Sequence, residues 1–221
     1  MDSVTSRPII TLLTDFGCRD AYAAAMKGVI LGINPQVCLV DLTHEIPPHD
    51  IAAAAFVLAE AAPFFPPETI HLAVVDPGVG SARRGLAARA RGQFCIGPDN
   101  GLFHFLFQGA PDLAIFSLEN PAYFLSEISA TFHGRDIFAP VAAHLSRGLA
   151  LEKLGPVVDD PVVLPVAEPV FGRDRAEGEI VYVDRFGNLV SNINWQRLSD
   201  WLNGSEVRLE LGSLTLNRLS R

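Results

Sequence analysis

The chain has 221 residues, with 17 Lys plus Arg against 25 Asp plus Glu, giving a formal net charge of −8 with histidine neutral. At 49% hydrophobic and 19% charged residues it can bury a sizeable core, which excludes disorder over most of its length. The acidic balance argues against nucleic acid as a partner, and the longest apolar run, Ile51 to Ala59, falls well short of the ~20 residues a membrane span needs.

In chain order, Met1 to Arg7 carries neither a basic nor an apolar signal region, which predicts a cytoplasmic protein. Ile9 to Thr14 is a short β-branched apolar run, read as a strand buried on both faces. Asp15-Phe16-Gly17 ends it, and Asp20 opens a helix from Ala21 to Leu31, closed by Gly32 and Asn34-Pro35. Val37 to Leu42 is a second strand. Pro47-Pro48 breaks the chain before a helix from about Asp50 to Ala62, and Ile70 to Val75 and Gln93 to Ile96 are further strands. An apolar helix runs from Ile137 to Leu145. Strand, crossover helix and strand in succession predict an α/β fold with a largely parallel sheet flanked by helices. Four prolines between Gly155 and Gly172 (Pro156, Pro161, Pro165, Pro169) rule out a helix or central strand there. Beyond them, Glu177 to Val183 and Glu206 to Leu216 alternate apolar and polar residues, with Gly212-Ser213 as a turn. The expected organisation is an α/β domain over residues 1–157, a linker over 158–171 and a small C-terminal β domain over 172–221. The odd set Cys18, Cys38 and Cys95 lacks CxxC spacing and fits reduced thiols.

In an open parallel sheet, ligands bind beyond the carboxyl ends of the strands, and three polar motifs fall there. Asp15 either accepts hydrogen bonds from a ligand's paired hydroxyls or only ends its strand, and Asp20 reads as a helix cap. Asp76-Pro77-Gly78-Val79-Gly80-Ser81, followed by Arg83 and Arg84, lets backbone approach a ligand closely, yet it is neither GxxxxGK[ST] nor GxGxxG. Thr131-Phe132-His133-Gly134-Arg135-Asp136 offers an imidazole to a cavity at a helix mouth, with Asp136 alternatively a carboxylate favoured by the helix dipole. Asp41-Leu42-Thr43-His44-Glu45 and His49-Asp50 contain metal-ligand types, but the spacing is no HExxH and Pro47-Pro48 prevents one helix from aligning them, so no metal is expected. Asp184-Arg185-Phe186-Gly187-Asn188 reads as a tight turn, or as an Asp and Asn that bond a ligand across a domain boundary.

Leu13-Thr14-Asp15-Phe16-Gly17, Asp41-Leu42-Thr43-His44, Asp76-Pro77-Gly78-Val79-Gly80, Gly97-Pro98-Asp99-Asn100-Gly101, Phe132-His133-Gly134-Arg135-Asp136 and Phe186-Gly187-Asn188 follow one another in this order. This series resembles the S-adenosyl-L-methionine (SAM) hydroxide adenosyltransferases, the adenosine-forming SAM hydrolases related to the SAM-dependent fluorinase and chlorinase. The resemblance implies displacement at the 5′ carbon of SAM by water or hydroxide, giving adenosine and L-methionine with no cofactor. It implies a catalytic set of Asp76, Arg83 and His133, which halogenases lack in complete form. By the same resemblance Asp15 is the ribose carboxylate, Asp20, Asp184 and Asn188 hold the methionine portion or the pocket edge, and His49 lies beside the substrate. It further implies a homotrimer with sites between the large domain of one subunit and the small domain of its neighbour. The small domain is expected to be shortened, since family chains usually continue beyond Leu216-Asn217-Arg218-Leu219-Ser220-Arg221. In the expected mechanism, Asp76 and His133 both accept hydrogen bonds from the attacking water, and Arg83 keeps Asp76 ionised. The alternatives are a non-catalytic adenosine or SAM binder and a SAM-dependent halogenase.

Overall fold

A computed structural model describes residues 7–205 and 207–216. The N-terminal segment 1–6, Glu206 and the tail 217–221 discussed above lie outside the described residues. The chain divides into two compact units, residues 1–164 and 165–221.

The first unit is built on a six-stranded sheet in the order β2-β1-β3-β5-β4-β6. Its strands are β1 (Ile9–Thr14), β2 (Cys38–Thr43), β3 (Ile70–Val74), β4 (Gly85–Ala90), β5 (Gln93–Pro98) and β6 (Ala114–Ser117). β1 pairs in parallel with β2 and β3, and β3 with β5, whereas β4 lies antiparallel to both β5 and β6. Five of these six strands thus run in one direction and β4 against them, so the sheet is largely parallel, as expected. The chain leaves β1 for β2 on one side and returns to β3 on the other, so β1/β3 is the topological switch point where open α/β sheets take their ligands.

Helix α1 (Tyr22–Ile33) buries Ala23, Met26 and Ile30, spaced to share one face. It starts after Ala21 without a side-chain cap, so Asp20 is an exposed turn residue and not the cap its position suggested. α2 (Ile51–Ala61) is capped by Asp50, whose Oδ1 accepts the Ala53 N–H at 2.9 Å. A short α3 (His104–Phe107) follows β5. The apolar helix after His133 begins as a π-helical turn, Gly134–Phe138, and continues as α4 (Ala139–Leu145), almost every residue of which is buried. Phe138, Ile10, Leu12, Met26, Leu72 and Ile96 are among the fully buried side chains of the core, which sits between the sheet and α1 and α4.

After α4 the chain runs along the free edge of β6, where Ser117 N–H donates to Pro156 O and Val158 N–H to Ile115 O, both at 2.9 Å. Arg84 then holds Asp160, and Asp99 accepts the Val162 N–H. This Pro-rich stretch covers a sheet edge through its few available N–H groups.

Among its described residues, the second unit has three two-stranded antiparallel pairs: β7 (Val170–Phe171) with β8 (Ala176–Glu177), β9 (Ile180–Val183) with β10 (Leu189–Ser191), and β11 (Leu209–Leu211) with β12 (Leu214–Leu216). Gly187 and Gly212 take positive φ in the two turns anticipated for them. The unit also holds helix α5 (Trp195–Leu202), so it is not purely β. Asn194 caps α5 by accepting from the Gln196 and Arg197 N–H groups, and Asn203 ends it in the left-handed region. Among the described residues, no helix is long and apolar enough to cross a membrane.

Candidate active site

β1 and β3 are in register through Thr14 and Val74, so their carboxyl ends emerge side by side. Asp15 follows β1 directly, and Asp76 lies two residues beyond β3. The Asp76 loop is tied back at several points. Asn100 Nδ2 donates to Val75 O at 2.8 Å, Val79 N–H to Asp76 O, and Ser81 Oγ to Gly78 O at 2.7 Å, while Arg83 N–H donates to Ser81 Oγ. Gly80 has φ +75, and a Cβ there would collide with the Ala130 carbonyl oxygen. Only glycine lets this loop press against the segment that leads to His133.

The folded loop returns Arg83 onto Asp76. Arg83 Nε donates to Asp76 Oδ1 at 2.8 Å and Nη2 to Oδ2, a two-pronged pair with side chains only 13% and 6% exposed. The same Nη2 lies 3.0 Å from His133 Nδ1, and the Arg83 guanidinium also rests over the Phe138 ring. Asp76, Arg83 and His133 therefore form one contiguous group, drawn from the ends of β3 and the π-helical turn. Desolvation first, then the Arg83 charge, push the His133 pKa below the ordinary 6.5, with Asp76 and Asp136 opposing. Near neutral pH the ring is uncharged.

Asp136, behind His133, is fully buried and is no simple helix-dipole carboxylate. It receives Arg135 Nε and the Ser129 N–H at 2.8 Å. Burial pushes its pKa up, but Arg135 and the Ser129 N–H outweigh that and hold it below the usual range. The aromatic residues Phe16, Tyr22 and Phe132 pack as a mutual cluster with ring centroids 5.1–5.9 Å apart. This cluster joins the Asp15 loop to the His133 segment.

Asp15 is mostly buried, and its Oδ2 accepts the His49 N–H at 2.9 Å. His49 adopts φ +66, a conformation costly for a residue with a side chain, and its exposed ring lies 4.0 Å from the same oxygen. The motif weighed for metal is used otherwise. Asp50 caps α2, while His44 packs between Thr14 and Asp41. Asp184 and Asn188 in the second unit bond each other: Asn188 Nδ2 donates to Asp184 Oδ2 at 2.7 Å, and the Asn188 and Phe186 N–H groups reach Oδ1 at 2.8 Å. Asn188, followed by these N–H groups, holds the Asp184 pKa low.

A hollow of about 230 Å³ borders Arg83 and His133, together with Arg84, Gly85, Ser117, Leu118, Glu119 and Ile137. It does not include Asp15 or Asp76, and it is smaller than the ~300–1,000 Å³ of pockets that enclose drug-sized ligands. Asp15 and Asp76 follow the carboxyl ends of β1 and β3 at the switch point, whereas Gly85 and Ser117 of the hollow belong to β4 and β6. A carboxylate and an imidazole joined by one arginine are the kind of groups that polar displacement chemistry uses.

The comparisons agree with that class. Residues 10–155 match the family model described as the SAM hydroxide adenosyltransferase N-terminal domain. The chain belongs to this family. It is 43% identical over 189 residues to a protein named (R)-S-adenosyl-L-methionine hydrolase from Salinispora tropica, covering 82% of this chain and 70% of that one. A protein of the same name from Thermus thermophilus is 44% identical over 194 residues, covering 85% and 74%. A fluorinase from an Actinoplanes species is more distant, at 29% over 231 residues. A solved structure of an uncharacterized conserved protein from Thermotoga maritima superposes with TM-score 0.88 at 37% identity, covering 94% of this chain and 80% of that one.

Proposed function

We infer that the chain hydrolyses SAM to adenosine and L-methionine by attack of water on the 5′ carbon. The observation that carries this reading is the contact of Arg83 with both Asp76 and His133. The relatives named as SAM hydrolases at more than 40% identity support the same substrate.

The hydrogen-bond pattern supports distinct roles for the three residues. Arginine only donates, so the Nδ1 that faces Arg83 is an acceptor, and the neutral ring carries its proton on Nε2. His133 then donates to the water oxygen instead of accepting from it, which revises the expectation drawn from sequence. Asp76, whose oxygens each retain a lone pair beyond the one given to Arg83, is the group that accepts the water's proton. Arg83 fixes both partners and offsets the carboxylate charge. The leaving thioether is neutral, so no strong general acid is needed. Positioning of the oxygen in line with the C5′–S bond, ~3–3.5 Å from carbon, supplies much of the rate. Asp15 receives the ribose hydroxyls; Asp20, His49, Asp184 and Asn188 hold the methionine end or the pocket edge.

No cofactor is required by this chemistry. The small hollow in the first unit fits a site completed by further protein, as in a homotrimer with active sites at subunit boundaries, working in the cytoplasm. The test is incubation with SAM and quantitation of adenosine and methionine. Equimolar products that fall at least a hundredfold with Asp76→Asn, at little change in KM, support hydrolysis. Tight binding without products points to a non-catalytic binder, and halide-dependent SAM loss with a halogenated nucleoside points to a halogenase.

A further inference from the structure

Asp41-Leu42-Thr43-His44 takes no part in the chemistry above, yet its histidine side chain is only 5% exposed. Four contacts run through it in a line. Phe16 N–H donates to Thr14 Oγ1 at 3.3 Å, and Thr14 Oγ1 lies 2.8 Å from His44 Nδ1. His44 Nε2 lies 3.2 Å from Asp41 Oδ1, close but poorly aligned, and Lys27 Nζ donates to Asp41 Oδ2 at 2.6 Å.

The direction of this line follows from its outer end. Desolvation raises the Asp41 pKa, but Lys27 and then His44 outweigh it, so the carboxylate is ionised and has no proton to give. The imidazole proton therefore faces Asp41 on Nε2, and Nδ1 is an acceptor for the Thr14 hydroxyl. The hydroxyl lone pairs remain for Phe16 N–H. His44 adds a second hold through its main chain, since Gly17 N–H donates to His44 O at 2.7 Å where Gly17 takes φ +67. Thr14, Phe16 and Gly17 are all held by His44, directly or through Thr14. The residue enclosed by them is Asp15.

A buried histidine is a costly way to fill space, since an apolar side chain of similar size packs there without desolvating an imidazole. What the polar line provides is orientation. We propose that His44 is the positioning residue for the Asp15 carboxylate, setting it to receive the paired hydroxyls of the substrate ribose. The proposal rests on the reading of Asp15 as the ribose-binding group. In this role His44 works through Asp15, on substrate binding rather than on the chemical step.

The test is steady-state SAM hydrolysis by the full chain and by His44→Ala, His44→Asn, Asp15→Asn and the double variant Asp15→Asn/His44→Ala. His44→Ala is expected to raise KM about tenfold with kcat within about twofold. His44→Asn should recover most of that loss, because its amide oxygen can stand where Nδ1 accepts from Thr14. In the Asp15→Asn background, His44→Ala should add less than about twofold, since the group it positions is already altered. Equal losses in kcat and KM, or the same tenfold effect in both backgrounds, would overturn the proposal and leave the hydrolase reading intact. An Asp15→Asn protein with unchanged KM would remove the ribose assignment itself, and the proposal with it. Should His44→Ala not fold, Thr14→Val breaks the same link at matched volume; a similar rise in KM supports the proposal, and an unchanged KM defeats it.

Discussion

Arg83→Lys isolates what the guanidinium contributes beyond its charge. Arg83 makes three hydrogen bonds to its two partners in the group: Nε to Asp76 Oδ1, Nη2 to Asp76 Oδ2, and Nη2 to His133 Nδ1. A lysine ammonium keeps the positive charge but places its donors on one nitrogen at the end of a flexible stem. It can hold the carboxylate or the imidazole, but not both in their present geometry. One hydrogen bond to a charged or polarised partner is worth roughly 1.5–3 kcal/mol. If its loss is felt only when the water is being activated, kcat falls about 10- to 150-fold while KM stays near the native value. The assay is adenosine release at saturating SAM, with far-ultraviolet circular dichroism confirming the fold. A variant within about threefold of native kcat would refute the argument, because charge alone would then suffice and the bridge between Asp76 and His133 would be incidental.

The active form of His133 is neutral, and burial plus Arg83 lower its pKa, so kcat/KM should stay level through neutral pH and decline only below 6.5, as the ring gains its proton; a decline beginning above pH 7 would contradict this. Gly80→Ala should lower both kcat and the melting temperature, since its Cβ meets the Ala130 carbonyl and its φ is +75; an unchanged Tm and rate would show that the two loops are not held in this contact. His71 is fully buried between Thr11 and Gln93, and desolvation takes its pKa to about 4 from 6.5. The unfolded chain then binds the extra proton below 6.5, so this group should make unfolding about 2 kcal/mol easier at pH 5 than at pH 7. Urea titrations of the native chain against His71→Gln would measure that difference.

Much of the site was legible because its residues sit in short motifs at strand ends. Asp76 and Arg83 share one loop, and the glycines of Asp76-Pro77-Gly78-Val79-Gly80 announce backbone close to something else. The sense of the hydrogen bond at His133 was not legible, because it depends on which ring nitrogen meets Arg83. His44 was weighed only as a metal ligand, since its partner Thr14 lies 30 residues away and is brought near by the β1/β2 pairing. In the fold, the parallel strands stood out as apolar β-branched runs, while β4 escaped because Gly85-Leu86-Ala87-Ala88-Arg89-Ala90 has neither β-branched residues nor clear alternation. α5 was overlooked although Asn194 before it and Asn203-Gly204 after it are ordinary start and stop signals. The amphipathic alternation around it drew the whole segment toward a β reading. Asp20 failed as a cap because the helix starts one residue later than the acid suggests, after Ala21.

Hydrolysis of SAM in water enriched in oxygen-18, with mass spectrometry of both products, examines the central claim at the reacting bond. The account predicts one heavy oxygen per turnover in the 5′-hydroxyl of adenosine and none in methionine. Unlabelled adenosine, or label carried by methionine, would contradict attack by water on the 5′ carbon.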